Sequence, residues 1–256
     1  MAILTGLLAG LSVLLSWNTA LAAGVYVDAA GEIAFLTAPQ ARALAARLGR
    51  THGSDGDANL YFVDAAFPLK NGTLFEIDIP IITFLDTTIV ETGFGDVTLR
   101  ARTRLYHAPT RVLQLTGALR TGTGTLAVWP YSSRSIDLQM GIAYVDTLDH
   151  FQLWVWGGGA YVSKEPEDVP EDELHGHYGR IGGGMFFPFA SGALRLGAAF
   201  MGIFYEAGRS REVLLTTIDY RRSQWLTFTA SAHAELGDRE ERVSDYAVMA
   251  GIRVFY

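Results

Sequence analysis

The segment that most constrains the fold is Ser244 to Tyr256, S-D-Y-A-V-M-A-G-I-R-V-F-Y. In an extended chain, Tyr246, Val248, Ala250, Ile252, Val254 and Tyr256 share one face, and Ala247, Met249, Gly251, Arg253 and Phe255 share the other. The segment reads as one strand, apolar on a single side and ending on an aromatic. Its apolar face suits lipid, which leaves Arg253 to face a lumen.

The rest of the chain repeats this design. Turn signals cut it into segments of strand length: Asn59–Phe67 and Leu74–Thr83, Asp96–Tyr106 and Val112–Thr121, Ser135–Asp146 and Phe151–Val162, Tyr178–Phe187 and Ala193–Tyr205, Val213–Tyr220 and Trp225–Leu236. Each runs about ten residues, the length of a tilted membrane strand. Short turns alternate with longer connections rich in Gly or charge (Asp86–Gly95, Gly122–Arg134, Ser163–His177, Glu206–Glu212, Gly237–Ser244). That asymmetry matches periplasmic turns and extracellular loops. The span Ile181–Tyr205 is apolar enough to pass for a membrane helix, but Pro188 and Ala190-Ser191-Gly192 divide it into a hairpin.

With the final strand, eleven strands are visible. A closed antiparallel barrel needs an even number. A twelfth is therefore expected before Asn59, within Gly24–Thr37 and centred on Gly31–Leu36. Ala38–Leu48 (A-P-Q-A-R-A-L-A-A-R-L) has helix-forming composition, with Pro39 near its start and Gly49 after its end, and predicts a short helix outside the wall. Plugging of the lumen is the alternative role for that helix.

Ile3–Leu15 is an apolar run too short for the ~20 residues of a spanning helix. With Ala20-Leu21-Ala22 after it, it reads as a cleavable signal helix with cleavage before Ala23. The organisation expected is a signal peptide over 1–22, an N-terminal segment over 23–58 and a barrel body over 59–256. The chain has no cysteine, which excludes disulfides and thiol chemistry, and its net charge of −7 makes it a poor nucleic-acid binder.

Within the strands, charge keeps to one face. Arg100, Arg102 and Arg104 alternate with Leu99, Ala101, Thr103 and Leu105, and Glu76 and Asp78 alternate with Phe75, Ile77 and Ile79. A charged side chain on the lipid face costs up to about 2–4 kcal/mol at mid-membrane, so these residues must point inward. The same rule places Asp64, Gln114, Thr116, Arg120, Asp137, Gln139, Arg180, Arg195, Asp219, Thr227, Thr229, His233 and Glu235 in the lumen. Two readings follow: a ladder of cross-strand ion pairs that stiffens the wall, or an Arg track that guides an anionic solute. Trp154 and Trp156, on the face of Gln152, either offer a stacking surface inside or fill space, or belong with Tyr144, Tyr161, Tyr220 and Tyr256 in the interfacial girdles.

Gly93-Phe94-Gly95-Asp96-Val97-Thr98-Leu99-Arg100-Ala101-Arg102-Thr103-Arg104-Leu105-Tyr106 resembles the G-x-G-D-hydrophobic-x-L-x-x-[Lys/Arg]-x-Arg-Leu signature of outer-membrane barrels of the phenol meta-pathway transporter family. Where that family has Pro-Thr-Gly at the end of the next strand, this chain has Arg120-Thr121-Gly122. The final strand likewise resembles the signal read by the barrel assembly machinery, with Val248, Ile252, Val254 and Tyr256 as its residues. The resemblance implies a barrel of about twelve strands in the bacterial outer membrane that takes up small organic molecules, with lipid and lipopolysaccharide around it and no cofactor.

Competing chemistries fare worse. Ser231, His233 and Glu235 lie on one face of a strand, but alternate residues are ~6.6 Å apart, too far for a direct Ser–His hydrogen bond. Asp168, Glu171, Asp172, Glu173, His175 and His177 suit a solvated loop better than a metal site. The expectation is an all-β transmembrane antiparallel barrel that acts as a channel or weakly selective transporter. A sealed structural or adhesion barrel and a lipid-modifying enzyme are the alternatives.

Overall fold

A computed structural model describes residues 29–37, 39–53, 56–85, 90–125, 128, 136–148, 150–162, 177–205, 210–236 and 244–256. The expected signal segment over 1–22 and the acidic loop carrying Asp168 to His175 lie outside the described residues.

Strands β1 (Ala43–Gly53), β2 (Gly56–Pro68) and β3 (Thr73–Leu85) are followed by a strand broken in two, β4 (Val90–Phe94) and β5 (Thr98–His107). Then come β6 (Arg111–Arg120), β7 (Asp137–Thr147), β8 (Gln152–Val162), β9 (Tyr178–Phe189), β10 (Leu194–Tyr205), β11 (Ser210–Ser223), β12 (Leu226–Leu236) and β13 (Tyr246–Phe255). Every neighbouring pair is antiparallel, and β1 pairs with β13 from Ala43↔Phe255 to His52↔Tyr246, which closes the sheet. Because β4 and β5 pair with successive halves of β3, they count as one wall strand, and the barrel has twelve. Closure leaves no sheet edge for lipid to desolvate.

The outer face is apolar: Leu48, Val63, Leu99, Ile142, Val155, Leu214, Ile218, Val248 and Ile252 are all exposed. The charged residues named above alternate with these and turn inward. At the Pro188–Gly192 turn the chain reverses through Ala190, Ser191 and Gly192, all at positive φ, so Ile181–Tyr205 is the hairpin its turn signal implied.

The N-terminal region reverses the expectation. The strand lies where a helix was expected, at Ala43–Gly53, and the helix α1 lies where a strand was expected, at Ala29–Thr37. The count of twelve holds, but the wall begins at Ala43. Ala43, Ala45 and Ala46 suit either structure, and Leu44 and Leu48 share a face in a helix and in a strand alike. Two neighbours decide the matter. As a strand, this segment satisfies the backbone edges of both β2 and β13 and carries Arg47 inward against Asp64, at 2.8 Å. Helix α1 stops before Pro39, since the residue preceding a proline is pushed away from helical dihedrals.

Helix α1 sits inside the barrel. Phe35 is buried with the inward-facing Ala43, Ala66 and Leu74 of β1 to β3, while the helix also contacts β11 and β12 across the lumen. The helical element is therefore a plug, at a different place in the chain from the one expected to be able to fill that role.

Candidate functional site

The lumen is the site, and its wall divides by chemistry. On five neighbouring strands, β13, β1, β2, β3 and β5, inward guanidinium and carboxylate groups form one connected network. Arg47 pairs with Asp64 at 2.8 Å and Asp78 at 3.5 Å, Arg100 with Glu76 and Asp78, both at 3.2 Å, and Arg253 with Glu76 at 3.5 Å. Three cations thus face three anions, and each carboxylate named is almost fully buried. Buried ions persist only when paired and hydrogen-bonded. The ladder reading of Arg100, Glu76 and Asp78 is the geometry found. Arg47 was missed because its segment read as a helix.

The Arg100, Arg102, Arg104 series then splits into three environments. Arg100 belongs to the network. Arg102 Nη1 donates to the carbonyl oxygen of Leu36 at 2.7 Å and to Gln114 Oε1 at 3.1 Å, and its Cζ lies 5.5 Å from the Phe35 ring. It caps the C-terminal end of α1, where helix carbonyls lack intrahelical partners and a cation is favoured. Arg104, next to a register shift in the β5–β6 ladder, is exposed near the short β5–β6 turn rather than enclosed.

Toward the end with the longer connections, Arg120 pairs with the buried Asp137, and Arg211 donates to Glu235 at 2.6 Å and to the Tyr205 hydroxyl at 3.2 Å. From sequence alone Arg211 falls in the charged connection Glu206–Glu212, whereas the strand begins at Ser210 and carries Arg211 inward. Glu235 also accepts from Ser244 Oγ at 3.2 Å, so Ser231, His233 and Glu235 contain an acid already engaged in structural bonds.

Across the barrel the lining turns aromatic. Trp154 and Trp156 both face inward; Trp154 is buried, and Trp156 Nε1 donates to Thr116 Oγ1 at 3.0 Å under the guanidinium of Arg180, whose Cζ is 5.0 Å from the ring. Arg180 in turn donates to Gln139 at 2.6 Å. Leu60, Phe62, Ile82, Phe186, Leu215 and Met249 complete an apolar belt with Trp154 at mid-barrel. Charge patterning alone implies a polar lumen; the apolar inward residues alternate with equally apolar outward ones, so no period-2 contrast marks them.

The Gly93–Asp96 motif has a structural reason. The wall strand breaks at Gly95–Val97, where a Cβ on Gly95 would sit 2.8 Å from both Pro80 Cγ and Ile82 Cδ1. Asp96 accepts from the backbone of Gly124 at 3.0 Å, Thr123 Oγ1 accepts from Val97 at 3.1 Å, and the Thr125 amide donates to Phe94 O at 2.9 Å. These bonds clasp the segment Thr121–Thr125, and beyond it Val128 is fully buried in the apolar belt. Val128, beyond the end of β6, thus packs inside the barrel, as α1 does.

Between α1 and the wall lies a cavity of about 490 Å³. Arg47, Arg195, Arg221 and Arg253 line it with Asp219, alongside Phe186, Thr217, Thr229 and Ser231. Arg195 pairs with Asp219 and stacks over Phe186, with Cζ 4.2 Å from the ring. Val248, Ile252, Val254 and Tyr256 all point outward from β13 to the lipid side.

This architecture has counterparts among solved structures. An outer membrane channel from Pseudomonas putida F1 superposes with a TM-score of 0.68 at 11% identity, covering 85% of this chain and 96% of that one. The fold is that of outer-membrane channels. NanC porin aligns with a TM-score of 0.63 at 11% identity over 83% of this chain and 99% of its own, and KdgM porin with 0.57 at 7% over 84% and 99%. The chain matches no family model and no curated protein. These three similar structures are one channel and two porins.

Proposed function

We propose that the chain is an outer-membrane channel for small organic solutes, aromatic or anionic in character, related in kind to the phenol meta-pathway transporters that its Gly93–Tyr106 segment resembles. The observation that carries this reading is the cavity lining, in which arginine and hydroxyl groups converge with the Phe186 ring beneath Arg195. A few convergent polar groups on an apolar surface are the usual make-up of a small-molecule site. Rings and tracks of fixed charge set which ions a pore passes.

Flux of benzoate, phenol, glucose and arginine through proteoliposomes holding the refolded protein tests it. Benzoate and phenol are expected to cross faster than glucose and arginine. A sealed structural barrel is the second reading, favoured by the plug α1 and the clasped Thr121–Thr125 segment, and absence of flux for every solute in the panel would select it.

A further inference from the structure

Helix α1 offers the wall two groups side by side, the ring of Phe35 and the carbonyl of Leu36. The Leu36 oxygen receives Arg102 Nη1 at 2.7 Å and Gln114 Nε2 at 3.2 Å, while the Phe35 ring lies 5.5 Å from the same guanidinium. A ring beside a guanidinium, next to an oxygen that takes one charged and one neutral hydrogen bond, is what an aryl carboxylate would present. A void of about 30 Å³ adjoins these groups, lined by Phe35 and Leu36 and on the wall side by Arg100, Thr116, Trp156 and Arg180. It has room for about one water. Trp156 and Arg180 extend the same aromatic and cationic surface beyond the helix.

We propose that Arg102 and Gln114 form a binding site for aryl carboxylates, that Phe35 and Leu36 occupy it as an internal surrogate, and that the solute opens the barrel by displacing them. This rests on the channel reading above and names the solute class for it. The competition is chemically unequal. The Leu36 carbonyl is a neutral acceptor that takes one bond from the guanidinium, whereas a carboxylate is itself ionised and can engage the guanidinium through two parallel hydrogen bonds. The helix has little stability of its own to set against this, because a nine-residue helix in isolation is marginal and is held by its docking contacts. A solute with the ring but no charge leaves the Arg102 bond intact, and a carboxylate without a ring leaves Phe35 seated.

The chain lacks cysteine, so Leu36→Cys places a single thiol on the helix and keeps the backbone carbonyl that Arg102 holds. Leu36 is only 5% exposed, so the thiol is protected while the helix is docked. The experiment follows maleimide labelling of the refolded, heat-modifiable variant with and without benzoate. A population shift of the helix is expected to raise the labelling rate about tenfold at saturating benzoate, with no response to benzyl alcohol or acetate. A rate that ignores benzoate, or that rises equally with acetate or benzyl alcohol, overturns the proposal. If Leu36→Cys does not refold, Thr37→Cys reports from the adjoining residue. Flux measured on proteoliposomes holding the same variant separates the two ideas: benzoate flux with unresponsive labelling defeats the displaceable site and keeps the channel, whereas responsive labelling without flux keeps the aryl-carboxylate site and defeats both its opening of the barrel and the channel.

Discussion

The two sides of the barrel interior solve one problem by opposite means. From β13 through β1, β2 and β3 to β5, the inward charges form one paired network, Arg47, Arg100 and Arg253 set against Asp64, Glu76 and Asp78, beside the strands' share of the apolar belt. From β8 to β10 the lumen is filled by rings, and the wall itself recedes to admit them: a Cβ on Gly197 would lie 2.5 Å from the Phe186 ring. Charges fill space with mutual satisfaction, and each needs its partners; rings need only volume, which glycine supplies. The ionic side should therefore break by loss of a partner and the aromatic side by gain of a methyl group.

Three substitutions sharpen this contrast. Asp78 serves both Arg47 and Arg100, so Asp78→Leu leaves three inward cations on the two carboxylates Asp64 and Glu76, and the uncompensated charge is expected to cost about 3–5 kcal/mol in guanidinium-induced unfolding of the refolded protein; a loss below that of the glycine variant would collapse the distinction. Gly197→Val overpacks against Phe186 and the Thr217 hydroxyl and is expected to cost about 1–3 kcal/mol, part of it recovered in a Phe186→Leu background. An equal cost in both backgrounds would mean that the strand, and not the ring, objects to the side chain. Arg50 and Asp57 pair at 2.6 Å on the exposed rim of the same ionic strands, with side-chain exposures of 59% and 26%. Arg50→Ala should lower stability by only about 0.2–1 kcal/mol, and by less still in high salt, where exposed pairs are screened.

Legibility in the sequence followed the same physics. Strands whose outer face must be apolar and whose inner face carries charge, such as β3 and β5, announce themselves by alternation, and the parity of an antiparallel barrel supplied the twelfth. What alternation cannot mark is a strand built largely from alanine. Ala43, Ala45 and Ala46 of β1 acquire their meaning only from β2 and β13, remote in sequence at one side, and Arg47 was lost with them. The inward apolar belt escaped for a related reason, since Phe186 sits between outward Met185 and Phe187, and Met249 between Val248 and Ala250. Arg102 was correctly placed on the inner face, yet its partner is a backbone carbonyl, which no residue pattern records. The G-x-G-D motif stood out as a signature, while its purpose depends on Gly124 and Thr125, beyond the end of the next strand.

The pairing of Ala43 with Phe255 carries a kinetic consequence. Every other wall contact joins neighbours in the chain, so hairpins can zip locally, one after another. The last ladder spans nearly the whole sequence and must bear the full loop-closure entropy of the intervening chain. An incomplete chain, however well its hairpins form, stays an open ribbon with two bare edges, and the step that makes it a membrane protein is the arrival of its final ten residues beside its first strand.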